Sequence, residues 1–93
     1  MKYTIERTSQ FKKDFKLAEK QGLDMGELKS VIEMLAAGEE LPEKYRDHPL
    51  KGDYKGHREC HIEPDWLLIY KITESVLVLS LVRTGSHSRL FRE

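Results

Sequence analysis

One cysteine, Cys60, is the only thiol in these 93 residues, so no disulfide can form within the chain. That scarcity points to a reducing cytoplasm as the working compartment. No apolar run approaches the roughly 18–20 residues needed to span a bilayer, and no signal peptide opens the chain, so no membrane is expected to be involved. A phosphate-binding loop is also missing: GDYKG has neither the spacing nor the Lys-Ser/Thr ending such a loop requires. Net charge is absent too, with 16 basic residues against 16 acidic ones. Taken whole, that balance speaks against a generic nucleic-acid binder.

The distribution of charge is more informative. Residues 7–20 carry five bases against two acids, a balance of +3, and residues 44–58 repeat it. Residues 24–43 carry six acids against Lys29, a balance of −5. Arg83, Arg89 and Arg92 face only Glu93 in the tail. One face can therefore meet phosphates while another stays acidic. Solvated helix faces would produce the same pattern with no function attached.

Hydrophobic residues make up 39% of the chain and recur with regular periods, so residues 1–93 read as one folded domain. Tyr3 and Ile5 alternate with Lys2, Thr4 and Glu6, the period of a half-buried strand. Thr8 or Ser9 can cap a helix running to about Gln21, with Phe11, Phe15 and Ala18 as its buried stripe. Asp24, with Glu27 three residues on, opens a second helix lined by Leu28, Val31, Ile32 and Leu35 and stopped by Gly38. The short connection predicts a helical hairpin. Residues 39–55, punctuated by Pro42, Pro49 and Gly52, read as a loop. Strands follow over 57–62, 66–72 and 76–83, with a turn at 63–66, and the last two are apolar on both faces. GSHSRLF closes the chain as a loop or a short helical turn. The order β-α-α-β-β-β predicts an α+β domain, with a curved, mostly antiparallel sheet and the hairpin on one face. Two helices cannot cover both faces, which leaves the other for a site.

Candidate chemistry concentrates between His48 and Tyr70 and near the C-terminus. His57, Cys60 and His61 tempt a zinc assignment. On a strand, however, the two histidines stand about 13 Å apart, and Cys60 points to the opposite face, so no metal is expected. Cys60 fits a small apolar residue facing the helices better than a nucleophile. Acid–base chemistry on RNA fits the remaining residues. Attack by a 2′-hydroxyl on its own phosphate needs a base, an acid and a cation. His48, His61, Asp65 and His87 are candidate proton carriers, and Arg83 is a candidate phosphate clamp. Trp66 or Phe91 could stack a base.

These residues carry a resemblance. The run YRDHPLKGDYKGHRECHIEPDWLLIYKI, followed by RTGSHSRLF, closely resembles the YafQ branch of the RelE/ParE superfamily of bacterial toxins. The pattern covers about half the chain and agrees with its helical N-terminal half in order and length. It implies the microbial-RNase-like fold of that superfamily and a ribosome-dependent endoribonuclease that cuts translated messenger RNA without metal or cofactor. It implies His48, His61, Asp65, Arg83, His87 and Phe91 on a concave sheet face, with Trp66 beside them; Lys51 and Lys55, from the basic segment 44–58, are expected as further RNA contacts. His57 takes a variable place in the pattern. The implied roles are His87 as general acid, His48 or His61 with Asp65 as base, and Arg83 on the transition-state charge.

The implied partners are ribosome, messenger RNA and a cognate antitoxin of the RelB/DinJ kind, small and acidic or partly disordered. The toxin–antitoxin assembly would be a heterodimer or heterotetramer, reaching operator DNA only through the antitoxin. Toxins of this superfamily that bind ribosomes are strongly basic, whereas this chain is neutral. Docking would therefore fall to Lys12, Lys13 and Lys16 and to residues 44–58. A gyrase-directed toxin on the same fold and a non-catalytic protein-binding module are the competing readings. The histidine set counts against the first.

Overall fold

The computed structural model describes residues 1–91; the charges read on Arg92 and Glu93 lie outside the described residues. Among those described, five strands and three α-helices follow the predicted order, with one addition. They are β1 (Thr4–Arg7), α1 (Ser9–Lys20), α2 (Met25–Ala36), β2 (His48–Pro49), β3 (Arg58–Glu63), β4 (Trp66–Thr73), β5 (Val78–Gly85) and α3 (His87–Phe91). The strands form one sheet in the order β1-β5-β4-β3-β2, antiparallel except for the β1–β5 pair.

Local chemistry sets the helix starts as expected. The Thr8 hydroxyl accepts from the Phe11 amide, and the Asp24 carboxylate accepts from the Glu27 amide. Each satisfies an amide that the first turn leaves without a partner. Both helices bury their stripes on one sheet face. Phe11, Ala18, Leu28, Val31 and Leu35 pack with Cys60, Ile62, Trp66, Leu68, Tyr70, Leu79 and Leu81. Cys60 is thus the small core residue expected of it, and burial, with the charges of Asp47 and Glu59, pushes its thiol well above the ordinary value. A protonated thiol at such depth is no nucleophile.

The second face is not bare. Leu67 and Ile69 of β4 are covered by Leu90 of α3, with Leu50, Tyr54, Val82 and Phe91 around them. This explains why β4 is apolar on both faces: it lies mid-sheet, between β3 and β5, and is buried from both sides.

Residues 39–55 are more ordered than a plain loop. They contain two single 3₁₀ turns, Glu43–Tyr45 and Gly52–Tyr54, and the two-residue strand β2 at the sheet edge. His48 pairs with Glu59 across that edge, so it stands on a strand and not in a loop. Tyr70 and Arg58 hold Asp47, the residue before it. The Tyr70 hydroxyl lies 2.8 Å from both carboxylate oxygens, and Arg58 Nε lies 3.2 Å from Oδ1. Periodicity cannot reveal a strand of two residues, because it holds a single alternation.

The opposite edge of the sheet is finished by a helix. β1 pairs with β5 only from Val78 to Leu81, and α1 then runs past the remaining edge. The Thr8 hydroxyl donates to the Val82 carbonyl at 2.7 Å, and the Thr84 amide donates to Asp14 Oδ2 at 3.2 Å. Side chains of the Thr8–Asp14 segment therefore satisfy backbone groups that another strand would have paired.

Candidate active site

Strand pairing lays the candidate residues in rows. His48 pairs with Glu59, Glu59 with Ile69, and Ile69 with Arg83, one row across four strands. The adjoining row on the same face joins His61, Leu67 and Gly85. With strands about 4.8 Å apart, His61 and Gly85 are two spacings from each other, and His87 follows two residues later.

His48 and His61 meet, with ring centroids 6.2 Å apart. Glu59, paired with His48 and two residues before His61 on β3, is 4% exposed. Its Oε2 lies 2.8 Å from His48 Nε2, while His48 Nδ1 lies 2.8 Å from the Arg46 carbonyl. Both ring nitrogens of His48 thus face oxygen acceptors. Among the described residues, Glu59 Oε1 and His61 Nδ1 are the buried side-chain polar atoms with no protein partner. Burial without a partner is costly, and such atoms cluster where chemistry is done. Sequence reasoning misses Glu59 as a site residue. Its alternation with His57 and His61 on one strand face is the signal that could have found it.

At the other end of the rows, Asp65 Oδ1 accepts from the His87 amide at 3.2 Å, tying the β3–β4 turn to the start of α3. The His87 and Phe91 rings lie 4.9 Å apart, and Tyr54 meets Phe91 edge-on at 5.9 Å. Lys51, Tyr54, Arg83 and Phe91, with Asp53 and Leu90, line an open groove of about 420 Å³. Tyr54, also missed by sequence reasoning, is a wall of this groove. Lys55 is not among the lining residues. Its carbonyl is 3.4 Å from His57 Nδ1, and the His57 ring stands against Tyr54.

Arg83 is less available than a solvent-facing clamp. Its Nε and Nη2 donate to Asp14 at 2.9 and 3.2 Å, and its side chain is 22% exposed. The hydrogen bond to Asp14, aided by charge, holds the guanidinium above its ordinary value against the effect of burial, so it stays positive. What remains for a phosphate is the Nη1 edge, beside Tyr54.

One expectation changes. Trp66 cannot stack a base: it is 2% exposed in the helix-side core, and its Nε1 donates to Thr84 Oγ1 at 2.9 Å. The Thr84 hydroxyl donates in turn to the Leu67 carbonyl at 2.7 Å. An indole at the first position of a central strand supplies core area and a buried hydrogen bond. None of Lys12, Lys13 and Lys16 lines the groove. Lys12 and Lys16 flank Phe11 and Phe15 in a separate depression, each lysine about 160° around the helix from Asp14. No group of three or more metal-ligating side chains is present among the described residues.

Known proteins are similar to this chain in sequence and in fold. The model of the family described as "Bacterial toxin of type II toxin-antitoxin system, YafQ" matches residues 3–92. The chain is 48% identical over 88 residues to the mRNA interferase toxin YafQ of Escherichia coli K12, covering 94% of each chain. It superposes with a TM-score of 0.89 on the toxin in a crystal structure of the E. coli DinJ–YafQ complex, at 47% identity, covering 96% of this chain and 98% of that one. A metal-bound toxin from Helicobacter pylori is similar at 49% identity, with a TM-score of 0.90 and 96% and 99% of the two chains covered. A pattern first visible between His48 and Phe91 thus extends over nearly the whole length, in sequence and in fold alike. This chain belongs to the YafQ family of bacterial toxins of type II toxin–antitoxin systems.

Proposed function

We propose that this toxin is a ribosome-dependent endoribonuclease that cuts translated messenger RNA by attack of a 2′-hydroxyl on the adjacent phosphate. The E. coli relative is an mRNA interferase, and this chain is an enzyme of that class. One observation carries the mechanism: a single sheet face bears a histidine pair, one member of it held by a buried carboxylate, at one end of its rows and Arg83 at the other.

Cleavage without a metal requires a proton to leave the 2′-oxygen and another to reach the 5′-oxygen. His61 takes the first, with the His48 ring against it and Glu59 holding His48. His87 gives the second. The bond between the 2′-oxygen and phosphorus forms as the bond to the 5′-oxygen breaks, leaving a 2′,3′-cyclic phosphate and a free 5′-hydroxyl. Arg83 meets the added negative charge on the phosphorane through its remaining edge. Asp65 serves His87 and not the base, since it accepts the His87 amide and so orients the start of α3. Phe91 and Tyr54 offer ring surface to a nucleobase, and Lys51 offers charge to the backbone.

The antitoxin of this chain would be a small acidic protein that orders on the basic and groove surfaces, as disordered inhibitors do. The toxin works where translation proceeds, in the cytoplasm. No helix among the described residues is long and apolar enough to cross a membrane.

The deciding experiment induces the protein in growing bacteria and maps new 5′ ends on messages, beside a His87→Ala control. In-frame cuts, present only during translation and absent in the control, are the expected result. Growth arrest with intact messages would point to gyrase or another target and overturn the proposal.

A further inference from the structure

Asp14 stands among Lys12, Lys13 and Lys16 in the sequence and looks like one more charge on a solvated helix. Its side chain is 0% exposed. Arg83 Nε and Nη2 donate to it at 2.9 and 3.2 Å, Arg89 Nη2 lies 2.9 Å away, and the Thr84 amide and Gln10 Nε2 each donate at 3.2 Å. An ionised carboxylate offers about four lone-pair sites, and these donors saturate them.

We propose that Asp14 is a positioning residue of the cutting site: it holds the Arg83 guanidinium side-on and anchors α3 through Arg89, setting the cation and the His87–Phe91 end together. The inference rests on the reading of Arg83 given above. Three consequences follow from the geometry. The Nε–Nη2 edge of Arg83 is taken by Asp14, so Nη1 is what the side chain has left to offer the groove it lines with Lys51, Tyr54 and Phe91. Two guanidinium groups share one carboxylate, leaving one positive charge in excess, the sign a phosphorane requires. Arg89 is two residues past His87 on the same short helix, so the tie that holds it also fixes where the helix starts.

Burial alone would penalise the charged carboxylate. The hydrogen bonds from Arg83, Gln10 and Thr84, with the charge of Arg83, outweigh that and hold Asp14 below its ordinary value. It is therefore an anion throughout the physiological range and exchanges no proton in the reaction.

The test compares Asp14→Asn, Arg83→Ala and the double variant in single-turnover cutting of a message on programmed ribosomes. Thermal unfolding and the ¹H–¹⁵N signal of Arg83 Nε are recorded beside the rates. Asp14→Asn should lower the saturating rate at least about tenfold, leave half-saturation within about twofold, and shift the Arg83 Nε signal. Added to Arg83→Ala it should cost less than about threefold more, because the two groups act as a unit. A full rate for Asp14→Asn, or two effects that multiply, overturns the proposal. An Arg83→Ala variant that cuts at the normal rate overturns the reading of Arg83 itself, a failure visible without the Asp14 variant. If Asp14→Asn does not fold, Arg83→Lys decides: it keeps the charge but cannot bridge carboxylate and phosphate. A loss close to that of Arg83→Ala is expected, and a near-normal rate overturns the inference.

Discussion

The two faces of the sheet are made from the same strands and do opposite work. On β3, Cys60 and Ile62 enter the helix-side core, while the alternate residues Glu59 and His61 stand on the other face. On β5, Leu79 and Leu81 join that same core and Arg83 lies in the row with Glu59. The helix side is all but closed, and a buried ion cluster sits at its border, on Asp14. The open side keeps buried polar atoms without partners at Glu59 and His61, next to a half-exposed histidine. The larger core thus lies on one face and the proposed chemistry on the other, joined through backbone that neither face can shift independently.

Substitutions that act on one face only would test this division. The largest effect is expected on the open face: Arg83→Ala or His87→Ala should lower cutting at least about a hundredfold, about 2.7 kcal/mol of transition-state stabilisation. Message cleavage on programmed ribosomes measures it. Retained activity in both variants would remove the assigned roles. The matching change on the helix side, Leu68→Ala, should cost about 2–5 kcal/mol of stability by urea unfolding while the rate per folded molecule stays the same. A lowered rate in a folded Leu68→Ala variant would mean that the faces are not separable.

Trp66→Phe sharpens the boundary. It removes the bond to Thr84 Oγ1 and should cost about 1–2 kcal/mol of stability, with RNA affinity unaltered. Weaker RNA binding at unchanged stability would restore Trp66 to the site. Acid tests the border cluster. The carboxyl of Asp14 is held below its ordinary value of 3.8 when folded, so its contribution is fully present above that value. That contribution disappears as pH falls toward the folded value, because the unfolded chain takes up the proton first. The stability gap between the native chain and Asp14→Asn should be constant near neutrality and shrink below about pH 4. A gap that persists in acid would mean that Asp14 is not held as an anion.

The smallest effect concerns the outer surface of α1. Lys12→Glu, Lys13→Glu and Lys16→Glu together should weaken ribosome association and flatten its salt dependence, by about one unit of log–log slope for each phosphate no longer neutralised. The rate at saturation should hold. An unchanged slope would take α1 out of the docking surface.

Most of the fold is legible in the sequence because its signals are local. Alternation marks the strands, apolar residues three and four apart mark the helices, and Thr8 and Asp24 announce their starts. Parity alone places Cys60 on the helix side and His61 opposite it. The site is legible as a set of residues, through the spacing of the resemblance, but not as an arrangement. His48 reads as a loop residue because its strand is two residues long. Trp66 reads as a stacking surface because an aromatic beside a turn looks exposed until the helices cover it. Asp14 escapes notice because three lysines surround it.

By itself, then, the sequence determined the elements, their order, the parity of each strand and the family. All of these depend on neighbours along the chain or on residue identity. Only the tertiary structure decided that β1 stops at Arg7 and leaves the last turns of β5 without a strand, so that α1 passes close enough to bury a carboxylate there. Burial reverses the meaning of a charge. A residue that water would solvate on a free helix becomes, against that open edge, the shared acceptor for Arg83, Arg89 and the Thr84 amide.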